Sequence, residues 1–129
     1  MHENSAILSG MVYKHWPGLR YAVIGLRLAW KEPHFRIHIG VSIIVVLLSF
    51  LFNISALEFA VLLLAIGTVM VAEIFNTALE ELCDKHTKEH DPHIARIKDL
   101  AAAAVLVAST FAAIVGVLIF LPYVIYASF

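Results

Sequence analysis

The chain has 129 residues, room for one domain. With 61% hydrophobic against 15% charged residues and a mean hydropathy of +0.88, it is not a water-soluble globule. A net charge of −1 with no compact basic run argues against nucleic acid as a partner, and a single cysteine excludes an internal disulfide framework.

The first residues are polar and mixed, without the apolar stretch of a cleavable signal peptide. Pro17 and Gly18 then suit the start of an amphipathic helix expected over about 17–31, and Pro33 suits its end. Leu19, Val23, Leu26 and Trp30 follow helical spacing, while Arg20, Arg27 and Lys31 supply positive charge. Such a helix lies in the headgroup plane of a membrane.

Three apolar segments follow, expected to cross a bilayer at about 36–53, 57–83 and 99–127. A spanning helix needs ~20 mainly apolar residues, which the first segment reaches only if Phe35 and His38 are included. The third carries no charge from Leu100 to Phe129. The expected fold class is therefore all-α integral membrane, an N-terminal surface helix plus three transmembrane helices. Lys14, Arg20, Arg27, Lys31 and Arg36 precede the first span, and Lys85, Lys88, Arg96 and Lys98 lie between the second and third. The connection Asn53-Ile54-Ser55-Ala56 and the C-terminal tail have no basic residue, so the N-terminus is expected in the cytoplasm and the C-terminus outside. Tyr123 and Tyr126 would then sit at the far interface. Ala104, Ala108, Ala112 and Gly116 repeat every four residues, a small-residue face that invites close helix packing and a homo-oligomer.

Near the end of the second span, Glu73, Asn76, Glu80 and Asp84 recur at spacings of three, four and four. At about 100° per residue they fall within roughly 80° of one another on a helix. An ionisable group at membrane depth costs at least ~2.5 kcal/mol on insertion scales, so such a stripe faces a protein interior or a wet site. Three carboxylates and an amide offer hard oxygen ligands of the kind Mg²⁺ or Ca²⁺ prefers. The adjoining loop holds Lys85, His86, Lys88, Glu89, His90, Asp91, His93, Arg96, Lys98 and Asp99. A site where membrane meets cytoplasm can join a lipid substrate to a water-soluble one, with metal against phosphate charge and a carboxylate taking a proton from an alcohol. No GxxxxGK[ST] phosphate loop is present. His86, His90 and His93 suggest zinc by spacing, but Pro92 and the mixed charges favour a solvated turn, and Cys83 reads as a packing residue. A helix-gluing polar seam, a small ion-coupled transporter and a non-catalytic scaffold remain alternatives from the residues alone.

The run from Glu73 to Asp84 (EIFNTALEELCD), followed by Ala95-Arg-Ile-Lys98-Asp99-Leu, resembles the signature of the small prokaryotic diacylglycerol kinase/undecaprenol kinase family. Gly25-Leu-Arg-Leu-Ala-Trp30 and Glu32-Pro-His-Phe-Arg-Ile-His38 resemble its N-terminal block, and the likeness covers about residues 14–122. The resemblance implies a homotrimeric lipid kinase of the bacterial inner membrane that uses Mg²⁺ and ATP. It places Glu73 as general base, Glu32 and Glu80 as metal ligands, and Asn76 and Asp84 as supporting polar residues. Nucleotide contacts fall on Lys14, Tyr21, Glu32, Glu80, Glu89, His90, Asp91, Lys98 and Asp99. The lipid groove falls near Phe35, His38 and Ser42. The block around Ile37-His38 and Leu118-Ile-Phe-Leu-Pro122 is similar to the undecaprenol kinase branch, which makes undecaprenol the expected acceptor ahead of diacylglycerol.

Overall fold

The computed structural model describes residues 18–86 and 91–127. The expected site residues Lys14, Glu89 and His90 lie outside these. The described residues form four helices and no strand: α1 (18–29), α2 (Pro33–Leu51), α3 (Ala56–His86) and α4 (Pro92–Ala127).

Each connection follows from local chemistry. α1 tightens at its end, where the Trp30, Lys31 and Glu32 amides donate to the carbonyls of Leu26, Leu28 and Ala29, each at 3.0 Å. Glu32 then takes an extended backbone (φ −75°, ψ 127°) as the residue capping α2, with Pro33 in the first turn. There its missing N–H is one the helix would not have bonded. α2 closes on Asn53, whose φ of 50° is the left-handed conformation that asparagine tolerates. The Ile54 amide reaches back to the Ser49 carbonyl and the Asn53 amide to that of Phe50, both at 3.2 Å, the paired bonds of a Schellman end. Two residues later Ser55 and Glu58 form a capping box: the Ser55 amide donates to Glu58 Oε2 at 2.8 Å, and the Glu58 amide to Ser55 Oγ at 3.3 Å.

This turn gathers one end of the bundle. Phe50 stacks on Phe59, Phe52 lies against both Phe120 and Tyr123, and Tyr123 donates its hydroxyl to Glu58 Oε2 at 2.8 Å. The three long helices are thus level at this end and unequal at the other. At ~1.5 Å per residue, the 19 residues of α2 span roughly 28 Å, the 31 of α3 about 46 Å and the 36 of α4 about 54 Å. A hydrocarbon core is ~30 Å thick. α2 is just long enough to cross, and α3 and α4 overrun it together at the end that carries the polar stripe.

The helices begin or end outside the expected spans for the same reason. α2 starts at Pro33 rather than about 36. α4 starts at Pro92 rather than about 99, so the solvated turn expected at Pro92 is in fact a helix start. Asp91 caps it, its Oδ1 accepting from the His93 amide at 2.7 Å and the Ile94 amide at 3.4 Å, with proline following as the first helical residue.

α3 is the central element, packed chiefly on α4 and less on α2. Its buried residues are Leu62, Val69, Glu73 and Cys83, the last filling the packing role expected of it. The core is thin, and large apolar side chains such as Leu51, Leu64 and Leu118 stand 68–75% exposed. That surface suits lipid or another copy, not water. Five hydroxyls on the long helices are satisfied by their own helix. Ser42, Ser49, Thr68, Ser109 and Thr110 each donate to the carbonyl four residues back, at 2.7–2.8 Å. An unpartnered hydroxyl in hydrocarbon would cost several kcal/mol by transfer data, so these groups are made invisible to lipid.

Candidate functional site

Burial changes steadily along the stripe on α3. Glu73 is 4% exposed, Asn76 and Glu80 are half-buried, and Asp84 is exposed. One helix face therefore runs from protein interior to open surface within three turns. Each end of it is met by a neighbouring helix. Glu73 Oε1 stands 3.0 Å from His38 Nε2 of α2, and Lys98 Nζ of α4 donates to Asp84 Oδ1 at 2.7 Å.

Glu73 is the one buried carboxylate among the described residues. It sits one turn from Val69, which lines an apolar cavity of about 470 Å³ between α2, α3 and α4. The cavity runs along α2 from His38 to Leu48, roughly 15 Å at helical rise. Polar side chains appear on its wall only as His38, Ser42 and Ser109, and both hydroxyls are already spent on their own backbones. His38 and Ser42 thus stand where the sequence expects a lipid groove, whereas Phe35 is buried and takes no part in this wall.

One turn beyond Glu73, Asn76 Nδ2 donates to Glu80 Oε1 at 3.2 Å. A carboxylate can only accept, so the amide nitrogen must face it and the carbonyl oxygen must face away. That oxygen, Oδ1, is buried without a hydrogen-bond partner. Leaving such a group unmatched costs about 1–3 kcal/mol, which the fold retains next to a carboxylate. Among the described residues, no three His, Cys, Asp or Glu side chains gather closely enough to enclose a metal ion. Mg²⁺, however, usually takes one or two carboxylates and completes its shell with water and substrate phosphates, so a part-built oxygen site suits it. Glu80 is a half-buried carboxylate of that kind, while Asn76 turns its nitrogen to it and its Oδ1 away. Glu32, at the corner between α1 and α2, is half-buried, and its side chain makes no capping bond to α2.

The remaining expected nucleotide contacts are spread over several elements. Tyr21 is exposed on α1, and Asp99 is exposed in the second turn of α4. Lys98 is paired with Asp84 and so braces the start of α4 against the end of α3. Asp91 spends one carboxylate oxygen on its own helix start, a role the Asp-Pro pair signals and which the nucleotide assignment passed over. The Ser55–Glu58 box at the far end is legible as an S-x-x-E pattern, whereas its bond from Tyr123, on another helix, is not. Nothing in the residue pattern announces that His38 meets Glu73, because the two are 35 positions apart on different helices.

Over residues 20–120 the chain matches the sequence profile described as prokaryotic diacylglycerol kinase. It is 37% identical over 94 residues to the undecaprenol kinase of Bacillus subtilis, covering 73% of this chain and 76% of that one. It is 39% identical over 105 residues to a diacylglycerol kinase of Synechocystis, covering 80% of this chain and 60% of that longer protein. A diacylglycerol kinase of Escherichia coli is 33% identical over 95 residues, with 73% and 78% covered.

Proposed function

Because the chain belongs to the prokaryotic diacylglycerol kinase family, and so is a membrane-embedded lipid kinase, we propose that it transfers the γ-phosphoryl group of ATP to a lipid primary alcohol at the cytoplasmic face, with undecaprenol as the preferred acceptor. The observation that carries this reading is Glu73, buried on α3 one turn from the end of an apolar cavity, with a ladder of oxygen ligands leading from it to the surface.

The lipid chain occupies the cavity side, and its hydroxyl arrives at Glu73. Glu73 accepts the hydroxyl proton as the alcohol oxygen forms its bond to phosphorus and the bond to the departing ADP breaks. A primary alcohol is a poor nucleophile until that proton leaves, and positioned base help is typically worth ~10²–10⁴-fold. Glu80 and Glu32 would hold Mg²⁺. The ion supplies charge neutralisation on the phosphates when bound. Lys98, Asp99, Tyr21 and Asp91 are the proposed nucleotide contacts among the described residues, and Lys14, Glu89 and His90 are proposed from the resemblance alone. The kinase reading displaces the transporter and scaffold alternatives.

The distribution of Lys and Arg supports a cytoplasmic N-terminus in a bacterial inner membrane, with the turn at Asn53 outside. A homotrimer is the proposed assembly. The row Ala103, Ala104, Ala108 and Ala112 lines a second, shallower groove of about 870 Å³ between α3 and α4. An added Cβ at Gly116 would meet nothing within 4 Å, so the close approach this row permits is not made there within the chain.

The deciding experiment sets undecaprenol and diacylglycerol side by side in one bilayer with ATP and Mg²⁺. Phosphorylation of the prenol in preference is the expected result. Preference for diacylglycerol, the activity named for the Synechocystis relative, overturns the acceptor and leaves the chemistry intact. No phosphorylated lipid from either sinks the reading altogether.

A further inference from the structure

We propose that His38 is a positioning residue for the reaction: its imidazole holds one oxygen of Glu73 and so aims the other at the lipid hydroxyl. This rests on the reading of Glu73 as the base. His38 Nε2 is 3.0 Å from Glu73 Oε1, the only polar contact of that carboxylate among the described residues. The Glu73 side chain is 6% exposed and that of His38 26%, so the carboxylate end of the contact is shielded from bulk water, which would otherwise compete for it. A glutamate on an unsupported α3 rotates freely about its terminal bond. One tethered oxygen removes that freedom and fixes the carboxylate plane.

The same imidazole forms the end of the apolar cavity wall, beside Ile37 and across from Val69. His38 therefore touches both the space a lipid chain fills and the group that takes its proton. Ser42, one turn on, spends its hydroxyl on the His38 carbonyl at 2.7 Å and so offers the imidazole no competing partner. A histidine that merely filled space would not need its nitrogen turned onto the one buried carboxylate of the described structure. Small misplacements of a reacting group are costly, of order 10²-fold for about 1 Å.

The test is a double-mutant cycle read as turnover in lipid vesicles, with the KM for ATP followed alongside. His38→Leu keeps the bulk and loses the donor. It should cut kcat by ~10–100-fold while the KM for ATP stays within a few-fold. His38→Gln places an amide N–H at about the reach of Nε2 and should restore most of the rate. His38→Asn, which reaches only as far as Nδ1, should not, and this pair decides the matter if the leucine variant does not fold. In a Glu73→Gln background His38→Leu should add less than about twofold, since its partner has already lost its function. A loss that multiplies with Glu73→Gln, or equal loss in the Gln and Asn variants, overturns the positioning role while leaving Glu73 as base. Full turnover in Glu73→Gln alone overturns both.

Discussion

Replacing Glu73 by glutamine removes the proposed base and little else, and the size of the effect can be worked out from the surroundings. The amide matches the carboxylate in volume, so no cavity opens at a site that is 4% exposed. The contact with His38 at 3.0 Å survives in kind, because a neutral imidazole can donate to the amide oxygen or accept from its nitrogen. The most this contact can lose is the difference between a hydrogen bond to a charged acceptor, ~1.5–3 kcal/mol, and one to a neutral acceptor, ~0.5–1.5, or about 1 kcal/mol. Loss of the base is far larger. A factor of ~10²–10⁴ corresponds to about 3–5 kcal/mol of transition-state stabilisation. The structural term alone explains less than a tenfold effect, so the two are separable. Purified protein in lipid vesicles with undecaprenol and Mg·ATP should show kcat down by at least ~10²-fold and nucleotide binding within a few-fold. If Glu73→Gln instead loses ATP affinity with turnover preserved, Glu73 belongs to the nucleotide site, and Asp99 becomes the next carboxylate to test.

Glu80→Gln removes a negative ligand while keeping its shape, so activity should fall by orders of magnitude and recover in part at raised Mg²⁺. Full activity at limiting Mg²⁺ refutes the ligand assignment. Lys98 serves either ATP or the brace to Asp84, and the two variants tell these apart. Lys98→Met should raise the KM for ATP about tenfold more than Asp84→Asn does, whereas equal effects reduce Lys98 to a structural tie. Ser42→Leu narrows the cavity at the His38 end at little structural cost, since the hydroxyl bonds only its own helix. The KM for a long prenol should rise with that for ATP unchanged, and an unaltered lipid KM would place the chain elsewhere.

Much of this site is written locally. Glu73, Asn76, Glu80 and Asp84 share a face because helical periodicity compels it, and the apolar run before them identifies a helix of membrane length. The caps are equally local, yet the charged neighbours of Asp91-Pro92 give a helix start the look of a solvated turn. What could not be read is set between elements. The His38–Glu73 contact depends on the level at which α2 meets α3, and that level is set by the turn at Asn53 some 20–25 Å away at helical rise. The cavity arises where Ala65, Ala112, Ala113 and Gly116 leave room opposite Val41 and Val45, a volume that belongs to no single helix. The orphaned Asn76 oxygen is likewise a property of the packed state, since in an isolated helix it would find water.

The unequal lengths of the helices explain why the chemistry stands where it does. Phe52, Phe120 and Tyr123 gather the helices at one end, so most of the length by which α3 exceeds α2 appears at the other. Beyond the His38–Glu73 contact α3 runs 13 residues to His86 and α2 only five to Pro33, an excess of 8 residues or about 12 Å. His38 lies five residues inside α2 and meets Glu73, so equal rise carries Glu80 and Asp84 past the first residue of α2, clear of that helix. Burial falls along the same path, from Glu73 to exposed Asp84. On the proposed reading, a single rigid helix offers one end of the site to a molecule dissolved in lipid and the other to a molecule dissolved in water. Glu73 and Glu80 lie about 10 Å apart along it, the span that phosphoryl transfer between the proposed base and the proposed metal ligand has to bridge.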